Sequence, residues 1–128
     1  YTANLPREAS TRYPQAKQFG LVMDRTTLDE RIDARVATMW SRGFVDEVEN
    51  LINHGLLEGK TARAAIGYAQ IIKMKHGEMS EAEAQEDTAR ATRQYARRQE
   101  TWFSRDERIQ WIKPGSHHER LSTALASL

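Results

Sequence analysis

The sequence predicts a mainly helical fold carrying one or two short strands. Three observations lead there. Apolar residues recur at helical spacing in successive stretches between residues 27 and 106. Residues that start and stop helices flank these stretches. Only "QFGLVM" at 18–23 and "RIQWI" at 108–112 have the length and composition of strands.

Taken in order, residues 1–17, with Pro6 and Pro14, read as an irregular segment. Gln18–Met23 is the first strand, interrupted by Gly20. Thr27 caps the first helix, and Glu30, three residues on, completes a capping box. Leu28, Ile32, Val36 and Met39 follow as its buried face, and Gly43 ends it. "VDEVENLINHG" is a second helix closed by Gly55 at C′. Thr61 starts a third, "ARAAIGYAQIIKMKH", whose last turn holds Lys73, Lys75 and His76, where cations suit the helix dipole. Gly77 stops it. Ser80 and Glu83 form another capping box, and a long helix runs from there to about Asp106. Arg108–Ile112 alternates as a short strand, Pro114–Gly115 breaks it, and the tail carries at most a weak last helix. This gives three segments: 1–17 irregular, 18–113 helical, and a tail over 114–128.

At 128 residues the chain is one domain's worth, or part of a larger one. Its net charge of +1 leaves only local clusters to say anything about partners. The absence of cysteine excludes disulfides and thiolate metal sites. No apolar run reaches the roughly 20 residues that span a bilayer, and no signal peptide is visible. The expectation is a soluble cytoplasmic protein. The chain opens on Tyr1 without an initiator Met, which reads as a piece of a longer protein. His54, His76, His117 and His118 have no zinc-site spacing, and there is no GxSxG motif or Gly-rich phosphate loop.

Three constellations carry possible chemistry. From Arg90 to Arg108 six arginines face three acids, Glu100, Asp106 and Glu107, in a nearly neutral chain. Arginine's planar fork suits phosphate. At about 100° per residue, Ala91, Tyr95 and Trp102 fall within about 40° of one another, extended by Phe103 and Ala96. That arc is the expected buried face, with Arg90, Arg93 and Arg97 opposite. The charge pattern alone slightly favours a solvated face with pairs such as Glu86–Arg90 over phosphate binding. Second, Arg31 and Arg35 sit one turn apart beside the apolar stripe, Arg35 about 20° and Arg31 about 60° from Leu28. An arginine there must snorkel, pair with an acid, or hold an anion such as a diphosphate. Third, Gly67 in "AAIGYAQ" costs roughly 1 kcal/mol inside a helix. Close packing is the plainer reason to keep it. Close approach of a base, with Tyr68 stacking and Gln70 bonding to its edge, is the other.

Together, "LVMDRTTLDERIDARVATM", "GFVDEVENLINHGL", "TARAAIGYAQ" and "RATRQYARRQETWFSRDERIQWI", in this order and spacing, resemble the C-terminal part of the tRNA dimethylallyltransferase (tRNA isopentenyltransferase) family over about residues 19–113. The resemblance implies the helical C-terminal portion of a P-loop-type α/β fold. It implies transfer of a dimethylallyl group from dimethylallyl diphosphate to N6 of the adenosine just 3′ of the anticodon in tRNA. The family's phosphate loop, its Mg²⁺-binding Ser/Thr and its catalytic Asp have no counterpart in this sequence. Mg²⁺ is therefore expected on a part not present here, and the chain is not expected to catalyse alone.

Residue by residue, the resemblance assigns Arg31 and Arg35 to the diphosphate side. It assigns Gly67, Tyr68 and Gln70 to one tRNA-contacting block and Arg97, Arg98, Gln99, Thr101 and Trp102 to a second. For Trp102 the helix wheel gives a different expectation, a packed side chain that orients the arginines. This version departs from the family at Ala69, usually Arg or Lys, and at Ser104, often Arg, where Arg105 can substitute. Partners expected are the tRNA anticodon stem-loop and dimethylallyl diphosphate, with no membrane, and self-association through exposed core surface. The alternative is a stand-alone helical RNA-binding module without catalysis. An upstream GxxxxGK[ST] loop after a strand separates the two.

Overall fold

The computed structural model describes residues 13–127. The irregular segment expected over residues 1–12, Pro6 included, lies outside them. The described chain falls into two compact units, one formed by 13–22 with 106–127, the other by 23–105.

In the first unit, β1 (Gln18–Leu21) pairs in parallel with β2 (Ile109–Ile112), in the register Gln18↔Ile109 to Leu21↔Ile112. The Val22 amide extends the ladder by donating to the Ile112 carbonyl at 3.0 Å. Parallel strands need a long crossover, and here residues 22–108 supply it. Gly20 does not weaken β1. A Cβ there would sit 2.5 Å from the Trp111 ring, so glycine lets that ring lie across the strand. The tail forms a real helix, α5 (His117–Leu125), because Ser116 and Glu119 make a reciprocal cap.

The second unit is all helical. The first helix, α1 (Arg25–Ser41), starts three residues earlier than expected. Its cap is Asp24, whose carboxylate accepts the Thr27 amide at 2.9 Å, so Thr27 lies inside the first turn. That hydrogen bond holds the Asp24 carboxyl below its ordinary range. Ile32 and Val36 are buried as expected. Next comes α2 (Phe44–Asn53), which buries Phe44 and Val48 and ends with Gly55 at φ +91°. Two single 3-10 turns, Leu56–Glu58 and Ala62–Ala64, lead to α3 (Tyr68–Lys75). The expected helix start at Thr61 is therefore corrected to Gly67. Gly67 is no interior glycine: its φ of +93° is a conformation L residues rarely adopt, and it breaks the helix before α3. Finally α4 (Glu81–Phe103) begins at the expected capping box, Ser80 with Glu83, and ends at Phe103 rather than Asp106.

The core has two parts. Phe44, Val48, Leu56 and Ile71 pack between α2 and α3. Ile32, Val36 and Ala89 pack between α1 and α4, with Leu28 and Ala96 beside them. Trp40 touches both and meets Phe44 edge-on, ring centroids 5.3 Å apart. Asp33 pairs with Arg93 and Asp29 with Arg97, so α1 and α4 run antiparallel.

This pairing turns the inner face of α4 part-way round the helix from the expected one. Tyr95, Trp102 and Phe103 are exposed, by 48%, 66% and 41%, while Arg93 and Arg97 lie on the side facing α1. The expected period is right, and Ala96 packs inward and Arg90 stays exposed as expected, but the face is displaced away from the aromatics. The inner face is built from small residues, Ala89 and Ala96 one heptad apart, which let two helices approach closely. Bulky aromatics at that seam would hold the helices apart. The expected Glu86–Arg90 pair is also replaced, since Arg90 bonds Asp87 one turn back.

Candidate nucleic-acid interface

The last two turns of α4 present a basic, aromatic surface. Arg97, Arg98, Thr101, Trp102 and Arg105 line one shallow depression of about 260 Å³. Helical spacing produces this: residues 98 and 102 lie about 40° apart, 97 and 101 border them, and Arg105 joins them from just past the helix end. The Trp102 ring stands against Phe103 edge-on at 4.9 Å, which fixes its plane while leaving a face to solvent. Arg98 lies over the Tyr95 ring at 5.9 Å, a cation–π contact that leaves its guanidinium edge free to bind. The Thr101 hydroxyl donates to the Arg97 carbonyl at 3.0 Å and keeps its acceptor capacity. Gln99 is exposed on the same stretch. Ser104 caps the helix and bonds its hydroxyl to the Thr101 carbonyl at 3.1 Å, so Arg105 brings the cation to the rim instead.

The start of α3 is built differently. Gly67 is buried, and a Cβ there would sit 2.8 Å from the Phe44 ring. Gln70 is only 8% exposed and both ends of its amide are engaged. Its oxygen accepts the Gly67 amide at 2.8 Å, and its nitrogen donates to Asp87 on α4 at 3.0 Å. That bond, ahead of the nearby Arg90, holds the Asp87 carboxyl below its ordinary range. Tyr68, half-buried, donates its hydroxyl to Glu47 at 2.5 Å, which pushes the phenol pKa up. Gln70 thus braces the turn from inside while Tyr68 stands at its edge. Ala69 is half-buried and brings no charge to this turn.

Arg31 and Arg35 are both exposed on α1. They lie about 120–160° around the helix from Asp29 and Asp33. Neither has an ion pair among the described residues, so the structural salt bridge weighed for them is not made there. Arg31 does lend a weak field that helps keep Asp24 ionised.

Sequence reasoning missed the acids that organise these groups: Asp29 and Asp33 for the α4 arginines, Glu47 for Tyr68, Asp87 for Gln70. The signal for the first two was present. Asp29/Asp33 and Arg93/Arg97 share one i,i+4 spacing, which two antiparallel helices can zip together. In the other unit, Asp106 caps its strand by accepting from Arg108, and its carboxyl falls to about 2. No group of three or more His, Asp or Glu among the described residues is placed to hold a metal ion. No described helix is long and apolar enough to cross a membrane.

Comparison with known proteins gives the chain a family. A family model described as IPP transferase matches residues 2–106. The tRNA dimethylallyltransferase of Thermobifida fusca is 54% identical over 112 residues, covering 88% of this chain and 34% of that protein. That of a Nocardioides species is 46% identical over 131 residues, covering all of this chain and 42% of the relative. The crystal structure of a tRNA delta(2)-isopentenylpyrophosphate transferase from Staphylococcus epidermidis matches with a TM-score of 0.79 at 30% identity, covering 89% of this chain and 39% of that one. The full-length tRNA isopentenylpyrophosphate transferase from Bacillus halodurans matches at 0.78 and 29% identity, covering 86% of this chain and 38% of that one. The chain spans 34% to 42% of the length of these relatives. By its family match and by its fold, mainly helical with a short parallel sheet, the chain belongs to the IPP transferase family.

Proposed function

We propose that this chain supplies the tRNA-facing and diphosphate-side surfaces of a transferase acting on tRNA. The reaction proposed moves a dimethylallyl group from dimethylallyl diphosphate to N6 of the adenosine 3′ of the anticodon. The observation that carries the reading is the α4 depression, where Arg97, Arg98, Thr101, Trp102 and Arg105 converge. Arginines beside an exposed indole suit an anticodon loop, whose phosphates are neutralised by guanidinium groups and whose unstacked bases pack on aromatic faces. The target adenine must leave the stack to be modified, so a surface that grips the loop beside it serves the chemistry.

In this reading Gly67, Tyr68 and Gln70 form a second tRNA-facing block. Gln70 acts from within, by holding the turn that presents Tyr68. Gln99 adds an exposed amide beside the depression. Arg31 and Arg35, exposed and without acid partners among the described residues, neutralise the diphosphate and stabilise it as a leaving group. No group of described acidic or histidine side chains fits a metal site, so in this reading Mg²⁺ is held by another part of the transferase.

The test is prenyl transfer to an anticodon stem-loop by a full-length family member carrying this segment. Arg31→Ala is expected to slow transfer by roughly 10²-fold, the usual cost of one electrostatic contact to developing charge. Its tRNA affinity should stay nearly unchanged. An equal loss of tRNA binding would move Arg31 from the diphosphate to the RNA.

A further inference from the structure

We propose that Asp29 is a positioning residue for the α4 depression, steering Arg97 toward RNA from the neighbouring helix. The inference rests on the reading of α4 as an RNA-facing surface. Arg97 belongs to two places at once: it lines the depression with Trp102, and it lines the seam where α1 meets α4. In the seam its terminal nitrogen stands 3.6 Å from the Asp29 carboxylate, beyond direct hydrogen-bonding reach. The contact therefore orients the guanidinium without occupying its donors. Asp29 is also shared, since Arg25 approaches the same oxygen at 3.9 Å. Two cations facing one anion leave one positive charge uncompensated, and half of the Arg97 side chain remains exposed.

The neighbouring pair behaves differently. Arg93 bonds Asp33 directly, its side chain is only 24% exposed, and it does not line the depression. One rung of the α1–α4 ladder thus locks the helices together, and the next presents a cation. A long arginine side chain loses rotamer freedom when it binds, and a partner that restricts it beforehand lowers that cost.

The sign of the effect separates this role from plain electrostatics. Removing an acid near a phosphate-binding surface ordinarily strengthens binding. If Asp29 positions Arg97, its removal weakens binding. Affinity of the chain for a fluorescent anticodon stem-loop is measured against salt for the wild type, Asp29→Ala, Asp29→Asn and Asp33→Ala. Folding is monitored by circular dichroism and urea midpoint. The expected result is that Asp29→Ala binds about two- to five-fold more weakly, in line with the value of an exposed ion pair. Its salt slope should be shallower by up to about 0.7, one single-strand phosphate contact. Asp29→Asn, which keeps the shape and an acceptor, should fall between, and Asp33→Ala should bind as well as the wild type or better. Equal or tighter binding by both Asp29 variants, with a steeper slope, overturns the proposal while leaving the RNA-facing reading intact. Failure of the wild type to bind overturns that reading and the proposal together.

Discussion

Trp102→Ala leaves the chain as stable as before and removes much of its RNA affinity. The indole is 66% exposed, so truncating it opens no cavity, and the urea midpoint should move by no more than about 0.5 kcal/mol in stability. Binding of an anticodon stem-loop should weaken by about 1–3 kcal/mol, roughly 5- to 150-fold, the value of one base stacked on an aromatic ring. Equilibrium unfolding and fluorescence anisotropy on the same samples check both halves. The opposite pattern, with several kcal/mol of stability lost and affinity kept, would return Trp102 to the role of a buried anchor.

Gly67→Ala should do the reverse. Its φ of +93° is costly for any residue with a Cβ, and that Cβ would meet the Phe44 ring at 2.8 Å. Phe44 is buried between Trp40 and Tyr68 and has nowhere to go. Backbone strain of about 1–3 kcal/mol and overpacking of similar size predict a loss of about 2–5 kcal/mol. Urea unfolding with an unchanged m-value reads it. A loss below about 1 kcal/mol would mean that the turn before α3 is free to relax, and that glycine is kept there for another reason.

These two residues also show what the sequence makes legible. The helices, the Ser80 cap and the glycine boundaries follow from local chemistry: side-chain oxygens near unpaired amides and a 3.6-residue period. Both short strands are visible in the same way, whereas their pairing with each other depends on the long crossover between them. The inside of α4 was misread because periodicity gives a face and leaves its polarity to composition. Composition pointed to the large apolar residues Tyr95 and Trp102. The seam with α1 instead selects small ones, Ala89 beside the Ala96 already expected there, a preference that exists only once the two helices meet. Local reasoning likewise found a reason for Gly67, close approach, but placed it inside a helix that in fact starts after it. Thr27 lost the cap of α1 to Asp24, three residues before it, whose carboxylate reaches the Thr27 amide.

The candidate site divides along the same line. The arginines and Trp102 were found as residues, because their chemistry is written in their type. Their shared depression, the Asp29 carboxylate beside Arg97, and the acids Glu47 and Asp87 that hold Tyr68 and Gln70 at the start of α3 depend on contacts between distant segments.

The proposed role of the end of α4 is to hold RNA phosphates. It is tested most directly by the salt dependence of stem-loop binding for the wild-type chain and the Arg97→Ala/Arg98→Ala variant. Two lost phosphate contacts should weaken binding and flatten the slope of log affinity against log salt by roughly 1.4. An unchanged affinity and slope would make these arginines a solvated helix face.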